Sequence, residues 1–136
     1  MARKKKLRVV IVGPGMIARF HWKAMMENLS GKYEVVAVIG PDDSDKAEQF
    51  AAEFDIWYFQ VPRGSKRAAY KAIYLEMEAD VVTICTPSGD HMEPAIGAAL
   101  AGCHVAVEKP LEVTLERCDA IIAACAEHNV KLMSIL

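Results

Sequence analysis

The sequence has little of what marks membrane, disulfide-rich or nucleic-acid-binding proteins. Only four of its 136 residues are cysteine, 7% are aromatic, and the formal net charge is −2. No run approaches the roughly 18 to 20 apolar residues of a membrane helix. The slightly acidic balance argues against a general nucleic-acid surface. The apolar stretch after the basic N-terminus breaks at Gly13-Pro14, which makes it a poor signal peptide. We therefore expect a cytoplasmic protein without nucleic-acid or membrane partners.

The cysteines also lack the C-x-x-C spacing of zinc and redox sites. Cys85 and Cys103 lie in apolar runs, which favours buried reduced thiols over disulfides, and no metal site is expected. The chain is 53% hydrophobic and 25% charged, which is typical of a globular protein. Its length is enough for a sizeable core, so residues 1–136 are predicted to form one domain.

Apolar strand-like runs alternate with helical periodicity along the whole chain. The predicted strands are Leu7–Val12, Glu34–Ile39, Ile56–Val61, Val81–Cys85, His104–Val107 and Lys131–Leu136. Five helices are predicted. Three have the bounds Met16–Leu29, His91–Leu100 and Leu115–Ala126, the last capped by Thr114. Of the other two, one is capped by Asp43 or Ser44 and ends at Phe54, and one is opened by Pro62–Ser65 and ends at Met77. Strict alternation with short connections predicts right-handed crossovers. The expected fold class is α/β, a Rossmann-type doubly wound parallel sheet of about six strands.

The first predicted strand runs into the spacing G-x-G-x-x-A before a helix. The first glycine of this spacing allows a tight turn, the second lets the backbone approach a pyrophosphate, and the third small residue allows close packing of helix on strand. The free N–H groups of the first helical turn also favour phosphate. The loop predicts a dinucleotide cradle, with a turn that binds nothing as the alternative. The residues predicted to form it are Gly13, Gly15, Met16, Ile17 and Ala18.

The end of the second strand leaves the choice of dinucleotide open. Gly40 stands where an acidic residue usually binds the adenosine ribose. Either Asp42 or Asp43 bends back to the ribose, which gives NAD, or the position admits a 2′-phosphate with Ser44 and Lys46 as partners, which gives NADP. Because the neighbouring acidic residues would repel a phosphate, the sequence favours NAD slightly.

Two further motifs follow the fourth and fifth strands, at the carboxyl ends where such sheets bind ligands. They are TPSGDH, from Thr86 to His91, and VEKPLEVT, from Val107 to Thr114. Together with the glycine loop and the order of elements, they resemble the N-terminal domain of the glucose–fructose oxidoreductase/inositol dehydrogenase (Gfo/Idh/MocA) family. The resemblance covers essentially the whole chain, and the E-K-P motif is its specific element.

This resemblance implies an NAD(P)-dependent oxidoreductase that transfers hydride to or from sugars, cyclitols or related polyols. Lys109 of E-K-P is implied to act in proton transfer, Glu108 to border the nicotinamide ribose, and Pro110 to follow a cis peptide bond. The residues implied to line the dinucleotide after the fourth strand are Thr86, Pro87, Ser88 and His91. For His91, capping or packing on a helix is the alternative.

Family members carry a second α/β domain that supplies most of the substrate pocket, whereas this chain ends in the sixth predicted strand. We expect residues 1–136 alone to be catalytically incomplete. The alternative is a stand-alone, non-catalytic NAD(P)-binding or sensor domain. Apolar surface around the sixth strand predicts self-association into a homo-oligomer. The segment Pro62–Met77 has no functional assignment from the sequence.

Overall fold

The computed structural model describes residues 5–135, and they form one parallel sheet of six strands. The strands are β1 (Leu7–Val12), β2 (Tyr33–Pro41), β3 (Trp57–Val61), β4 (Val81–Ile84), β5 (His104–Val107) and β6 (Leu132–Ser134). The helices are α1 (Met16–Lys23), α2 (Lys46–Phe54), α3 (Arg67–Glu76), α4 (Met92–Leu100) and α5 (Leu115–Glu127). A π-helical turn, Ala24–Asn28, continues α1.

The strand order is β3-β2-β1-β4-β5-β6, with every neighbouring pair parallel. This order confirms the predicted doubly wound α/β fold, because the chain first builds outward from β1 to β3 and then crosses back to β4. The reversal leaves β1 beside β4 with their connections running in opposite directions. A ligand crevice is expected at that point, outside the carboxyl ends of the two strands.

The core lies in two layers, one on each face of the sheet. Alternate residues of β1 point to opposite layers, so that Val9 and Ile11 contribute to one and Val10 and Val12 to the other. Each layer also buries one large aromatic side chain completely: Phe50 in the layer of α1 and α2, Tyr74 in the layer of α3, α4 and α5. Burying such a side chain contributes about 1.5 to 3 kcal/mol.

Several predicted boundaries were wrong near the carboxyl edge of the sheet. Strand β2 continues through Pro41, because its last residues pair with β3, so Gly40 lies inside the strand and not after it. The N-cap of α2 is Asp45, while Ser44 Oγ accepts the Lys46 N–H at 3.2 Å. Helix α3 begins only at Arg67, which leaves 62–66 as a loop.

Local predictions elsewhere were more accurate. The bounds of β5 are those predicted, and the predicted cap of α5 is confirmed, because Thr114 Oγ1 accepts the Arg117 N–H at 3.1 Å. The predicted helix Met16–Leu29 is correct in extent, but its last turn has π-helical hydrogen bonding. The final strand is shorter than predicted, and Leu136 lies outside the described residues.

The four cysteines are free, and Cys85, Cys103 and Cys125 are buried, which agrees with the predicted reduced thiols. Burial raises the pKa of Cys85 to about 12 and that of Cys103 to about 11. Among residues 5–135, no three His, Cys, Asp or Glu side chains are placed to share a metal ion. In the same range, no helix is both long and apolar enough to cross a membrane. The cytoplasmic location stays a prediction.

Candidate functional site

A cleft of about 800 Å³ opens at the carboxyl edge of the sheet, where β1 and β4 lie side by side. Its volume is in the range of small-molecule and cofactor sites. The glycine loop before α1 and the turn between β4 and α4 form part of its lining, and the loops after β2 and β3 extend it. Of the predicted site residues, the cleft brings together Gly13, Gly15, Met16, Ile17, Gly40, Ser44, Thr86 and Pro87.

Glycine is suited to the first two positions of the motif for different structural reasons. Gly13 has a φ of +96°, and a Cβ there would lie 2.7 Å from the carbonyl carbon of Cys85 and 2.8 Å from the backbone nitrogen of Thr86. The close approach of β1 to the end of β4 therefore requires glycine. A Cβ on Gly15 would meet nothing within 4 Å, because this residue borders the open cleft. Ala18 is fully buried, as its predicted packing role requires.

The amino end of α1 fits a phosphate group. Gly15 is the N-cap and offers no side-chain hydrogen bond, and the first turn contains no acidic residue. The backbone N–H groups of Met16 and Ile17 belong to this turn, where intrahelical partners are lacking. Such N–H groups, together with the positive end of the helix dipole, bind anions. The open space at Gly15 and these donors therefore fit the pyrophosphate of a dinucleotide.

The E-K-P segment follows β5 at the same carboxyl edge of the sheet. The Lys109–Pro110 peptide is cis, as the resemblance implied, and the Lys109 side chain is exposed at the carboxyl edge. Glu108 Oε2 lies 2.6 Å from Nε2 of His21 on α1, and both side chains are only 14% exposed. This contact ties the E-K-P segment to the helix that begins at the glycine loop. No sequence pattern predicts this pairing, which joins residues 87 positions apart.

His91 connects the loops that follow β4 and β5. Its ring is buried, with Nδ1 2.9 Å from the carbonyl oxygen of Pro110 and Nε2 2.9 Å from that of Thr86. The residue is also the N-cap position of α4, which matches the alternative of capping or packing. His91 therefore positions the two loops relative to each other and does not line the cleft.

Over residues 7–135 the chain matches the Gfo/Idh/MocA group, described as the oxidoreductase family with an NAD-binding Rossmann fold. The chain belongs to this family. The resemblance inferred from the glycine loop, TPSGDH and E-K-P is thereby confirmed. NAD-binding is the described property of the family, and the cleft at the β1/β4 reversal lies where the fold is expected to hold the dinucleotide.

Characterised relatives are similar over nearly the whole chain. A 2,7-anhydro-N-acetylneuraminate hydratase of Mediterraneibacter gnavus is 28% identical over 96% of this chain and 31% of its own length. A UDP-N-acetylglucosamine 3-dehydrogenase of Acidithiobacillus ferrooxidans is 29% identical over 93% of this chain and 36% of its own. The crystal structure of the WlbA dehydrogenase from Bordetella pertussis, in complex with NADH and UDP-GlcNAcA, has a TM-score of 0.81 and 28% identity over 99% of this chain. The chain covers 36% of that structure and so spans about a third of the length of these relatives.

In this Gfo/Idh/MocA chain, Glu112 is a positioning residue that sequence reasoning missed. Its carboxylate is buried and accepts the backbone N–H groups of His91 at 3.1 Å, Met92 at 2.9 Å and Val113 at 2.8 Å, while Arg117 Nη2 lies 3.3 Å away. Burial opposes ionisation, but these hydrogen bonds outweigh it and lower the pKa of Glu112. A carboxylate at position 112 has no spacing rule that would have singled it out.

Not every predicted site residue lines the cleft. Ala18 and His91 are buried behind it, and Asp42, Asp43, Ser88, Glu108, Lys109 and Pro110 lie outside its lining. Their contact with a cofactor stays a prediction. The cleft is lined instead by residues to which the sequence assigned no cofactor role: Arg63, Ser65, Lys66, Tyr70, Asp90 and Arg117. The basic composition of the loop after β3 was the one sequence feature that could have indicated some of them.

Proposed function

We propose that the chain is the nucleotide-binding domain of an NAD(P)-dependent oxidoreductase that acts on a sugar, cyclitol or related polyol by hydride transfer. The observation that carries this proposal is the placement of an open glycine cradle and the E-K-P segment at the same carboxyl edge of the sheet. Family membership and the named relatives support the dinucleotide and the class of substrate. Because the chain spans about a third of the length of these relatives, the full reaction is proposed for a protein of their length and not for these 136 residues alone.

The residues have separable tasks in this proposal. The pyrophosphate would lie against Gly15 and the first turn of α1, with Thr86 and Pro87 facing it from the end of β4. A bound nicotinamide ring supplies a hydride acceptor or donor. Oxidation of a hydroxyl group also releases a proton, which the Lys109 Nζ in its amine form would accept and would return in the reverse direction. Glu108, held by His21, would fix the start of the Lys109 segment.

Replacement of Gly15 by valine tests the cradle directly. A Cβ at this position meets nothing within 4 Å, and the backbone is extended with φ −88°, so the variant is expected to fold normally. Its side chain would instead occupy the approach to the first-turn amides. We expect NADH fluorescence titration to show binding by the original chain and a loss of roughly a hundredfold or more in Gly15→Val, since several charge-assisted hydrogen bonds become inaccessible.

Gly31→Val is the matched control. A Cβ on Gly31 also meets nothing within 4 Å. This residue, however, lies just before β2, at the amino ends of the strands, whereas the cleft lies at their carboxyl ends. It should bind NADH as the original chain does. Failure of the original chain to bind either NADH or NADPH at millimolar concentration would contradict the proposal, as would unchanged binding by Gly15→Val.

A further inference from the structure

The cleft has an adenosine end whose lining is basic. From the glycine cradle it continues past the end of β2 to the start of α2 and the loop after β3, where it is lined by Ser44, Lys46, Arg63, Ser65 and Lys66. In sheets of this topology the adenosine ribose lies at the end of the second strand. Three cationic side chains therefore border the region in which the ribose of a bound dinucleotide would lie.

The two loops form one connected rim. The Asp42 N–H donates to the Val61 carbonyl oxygen at 2.9 Å, and Gln60 Nε2 donates to the Ser44 carbonyl oxygen at 2.8 Å. These bonds extend the β2–β3 pairing beyond the strands. They hold the connection that leads to Lys46, at the start of α2, beside the loop that follows β3.

Arg63 is positioned at this rim by a single side-chain hydrogen bond. Its Nε donates to Asp43 Oδ2 at 2.7 Å, and no described residue accepts from its two terminal nitrogens. The hydrogen bond to Asp43 raises the pKa of Arg63, so the guanidinium stays charged, and Asp42 and Asp90 add to this effect. The terminal nitrogens form the part of an arginine that recognises phosphate.

The features that would select the unphosphorylated ribose are not in the lining. A Cβ on Gly40 would lie 2.8 Å from Ala47 Cβ and 3.1 Å from Pro14 Cγ, so packing leaves no room for a side chain at the usual carboxylate position. The carboxylates of Asp42 and Asp43 are exposed outside the cleft lining. The slight sequence preference for NAD depended on repulsion of a phosphate by the acidic cluster Asp42, Asp43 and Asp45. In the structure Asp43 pairs with Arg63 at 2.7 Å, which offsets its charge, and none of the three carboxylates lines the cleft.

We propose that Lys46 and Arg63 bind the 2′-phosphate of the adenosine ribose, with the Ser44 hydroxyl beside them, so that NADP binds more tightly than NAD. The inference rests on the proposed function. It assigns to the loop 62–66 a task that the sequence left open. Lys46, at the start of α2, and Arg63, in the loop after β3, reach the phosphate from two different segments, and the hydrogen bonds between the ends of β2 and β3 set their separation.

Calorimetric titration with matched ligand pairs tests this inference. NADPH is compared with NADH, and adenosine 2′,5′-bisphosphate with adenosine 5′-phosphate, because each pair differs by the 2′-phosphate alone. We expect the phosphorylated ligand of each pair to bind more tightly. Arg63→Ala and Lys46→Ala should each weaken NADPH binding roughly tenfold, the loss of one charge-assisted contact, and weaken NADH binding by a smaller factor, so that the preference for NADPH falls.

Lys32→Ala is the control, because Lys32 is exposed at the amino end of β2, away from the cleft. It should leave the preference for NADPH unchanged. The inference is overturned if NADPH binds no more tightly than NADH, or if neither variant reduces the preference. Binding of neither dinucleotide would overturn the proposed function itself, and the inference with it.

Discussion

At the scale of single residues, three glycines at the cleft satisfy three different requirements. Gly13 accommodates a positive φ and the close approach of β4, and Gly15 keeps the cradle open. Gly40 makes room for the packing of Ala47 and Pro14 on β2. A substitution at each position should therefore fail for its own reason: folding at Gly13, binding at Gly15 and packing at Gly40.

Gly40 and Ala47 are predicted to be energetically coupled. Gly40→Ala should lower the free energy of unfolding by about 1 to 3 kcal/mol, because the new methyl group overlaps the Ala47 Cβ. Ala47→Gly alone should cost about 1 kcal/mol in helix propensity. The double variant should be more stable than the sum of the two losses implies, as measured by urea unfolding.

The same double-mutant cycle can also contradict the predicted coupling. Additivity to within about 0.5 kcal/mol would show that the two sites do not interact.

The packing around Gly40 also limits cofactor engineering at this position. Gly40→Asp, the obvious substitution for an NAD-type ribose contact, should reduce stability before it changes any cofactor preference, unless Ala47 and Pro14 are altered as well.

At the scale of elements, the loops after β4 and β5 are joined by His91 and Glu112. The His91 ring contacts carbonyl oxygens in both loops, and the Glu112 carboxylate accepts the N–H groups at the beginning of α4. Glu112 thereby does from a distant loop what a local N-cap side chain usually does. The geometry of the E-K-P segment consequently depends on α4.

Glu112 is predicted to make stability depend on acid pH. Its pKa in the folded chain is below the ordinary value of 4.5, so its contribution is fully present above that value and is lost as pH falls through the folded pKa. Glu112→Gln should lower the free energy of unfolding at neutral pH by about 2 to 4 kcal/mol, since amide hydrogens replace an acceptor in a buried network. The variant should also lose part of the acid dependence below about pH 4.5.

Urea unfolding from neutral pH to about pH 3 measures both effects. Glu76→Gln is the control, because Glu76 is exposed at the end of α3 and makes no side-chain hydrogen bond to the described residues. It should change neither the stability nor the acid limb. A Glu112→Gln variant with the original pH profile would exclude a stabilising role for the buried carboxylate.

At the scale of the whole molecule, several large apolar side chains are exposed. The most exposed of those around the carboxyl edge and β6 are Met16, Phe20, Val113, Leu115 and Met133. Surface of this kind is typical of contact with another chain or domain. The homo-oligomer predicted from the sequence therefore stays a prediction with a physical reason.

Sedimentation velocity over a range of concentrations tests self-association. The original chain is expected to associate, and Met133→Lys, on the edge strand β6, should shift it towards the monomer. Trp57→Lys is the control, because Trp57 is similarly exposed but lies on β3 at the other edge of the sheet. A monomer at every concentration would contradict the prediction, as would equal effects of the two substitutions.

Features that depend on neighbours in sequence were predicted more accurately than features that depend on residues far apart in the chain. The aliphatic runs of β1 and β5 and the Thr114 cap depend on neighbours in sequence, and all three were predicted correctly. The end of β2 depends on pairing with β3, and the start of α2 was placed too early. The loop 62–66 was predicted to open a helix, because its role as part of the cleft lining has no local sequence pattern.

The sequence by itself determined the class of fold and the family, because strand–helix alternation, glycine spacing and the E-K-P motif are written in consecutive residues. Only the tertiary structure decided which of these residues meet. It paired Glu108 with His21, placed the Glu112 carboxylate at the beginning of α4, and lined the cleft with Arg63 while leaving Asp43 outside the lining. These contacts join residues far apart in the chain, and sheet register and crossovers bring such residues together.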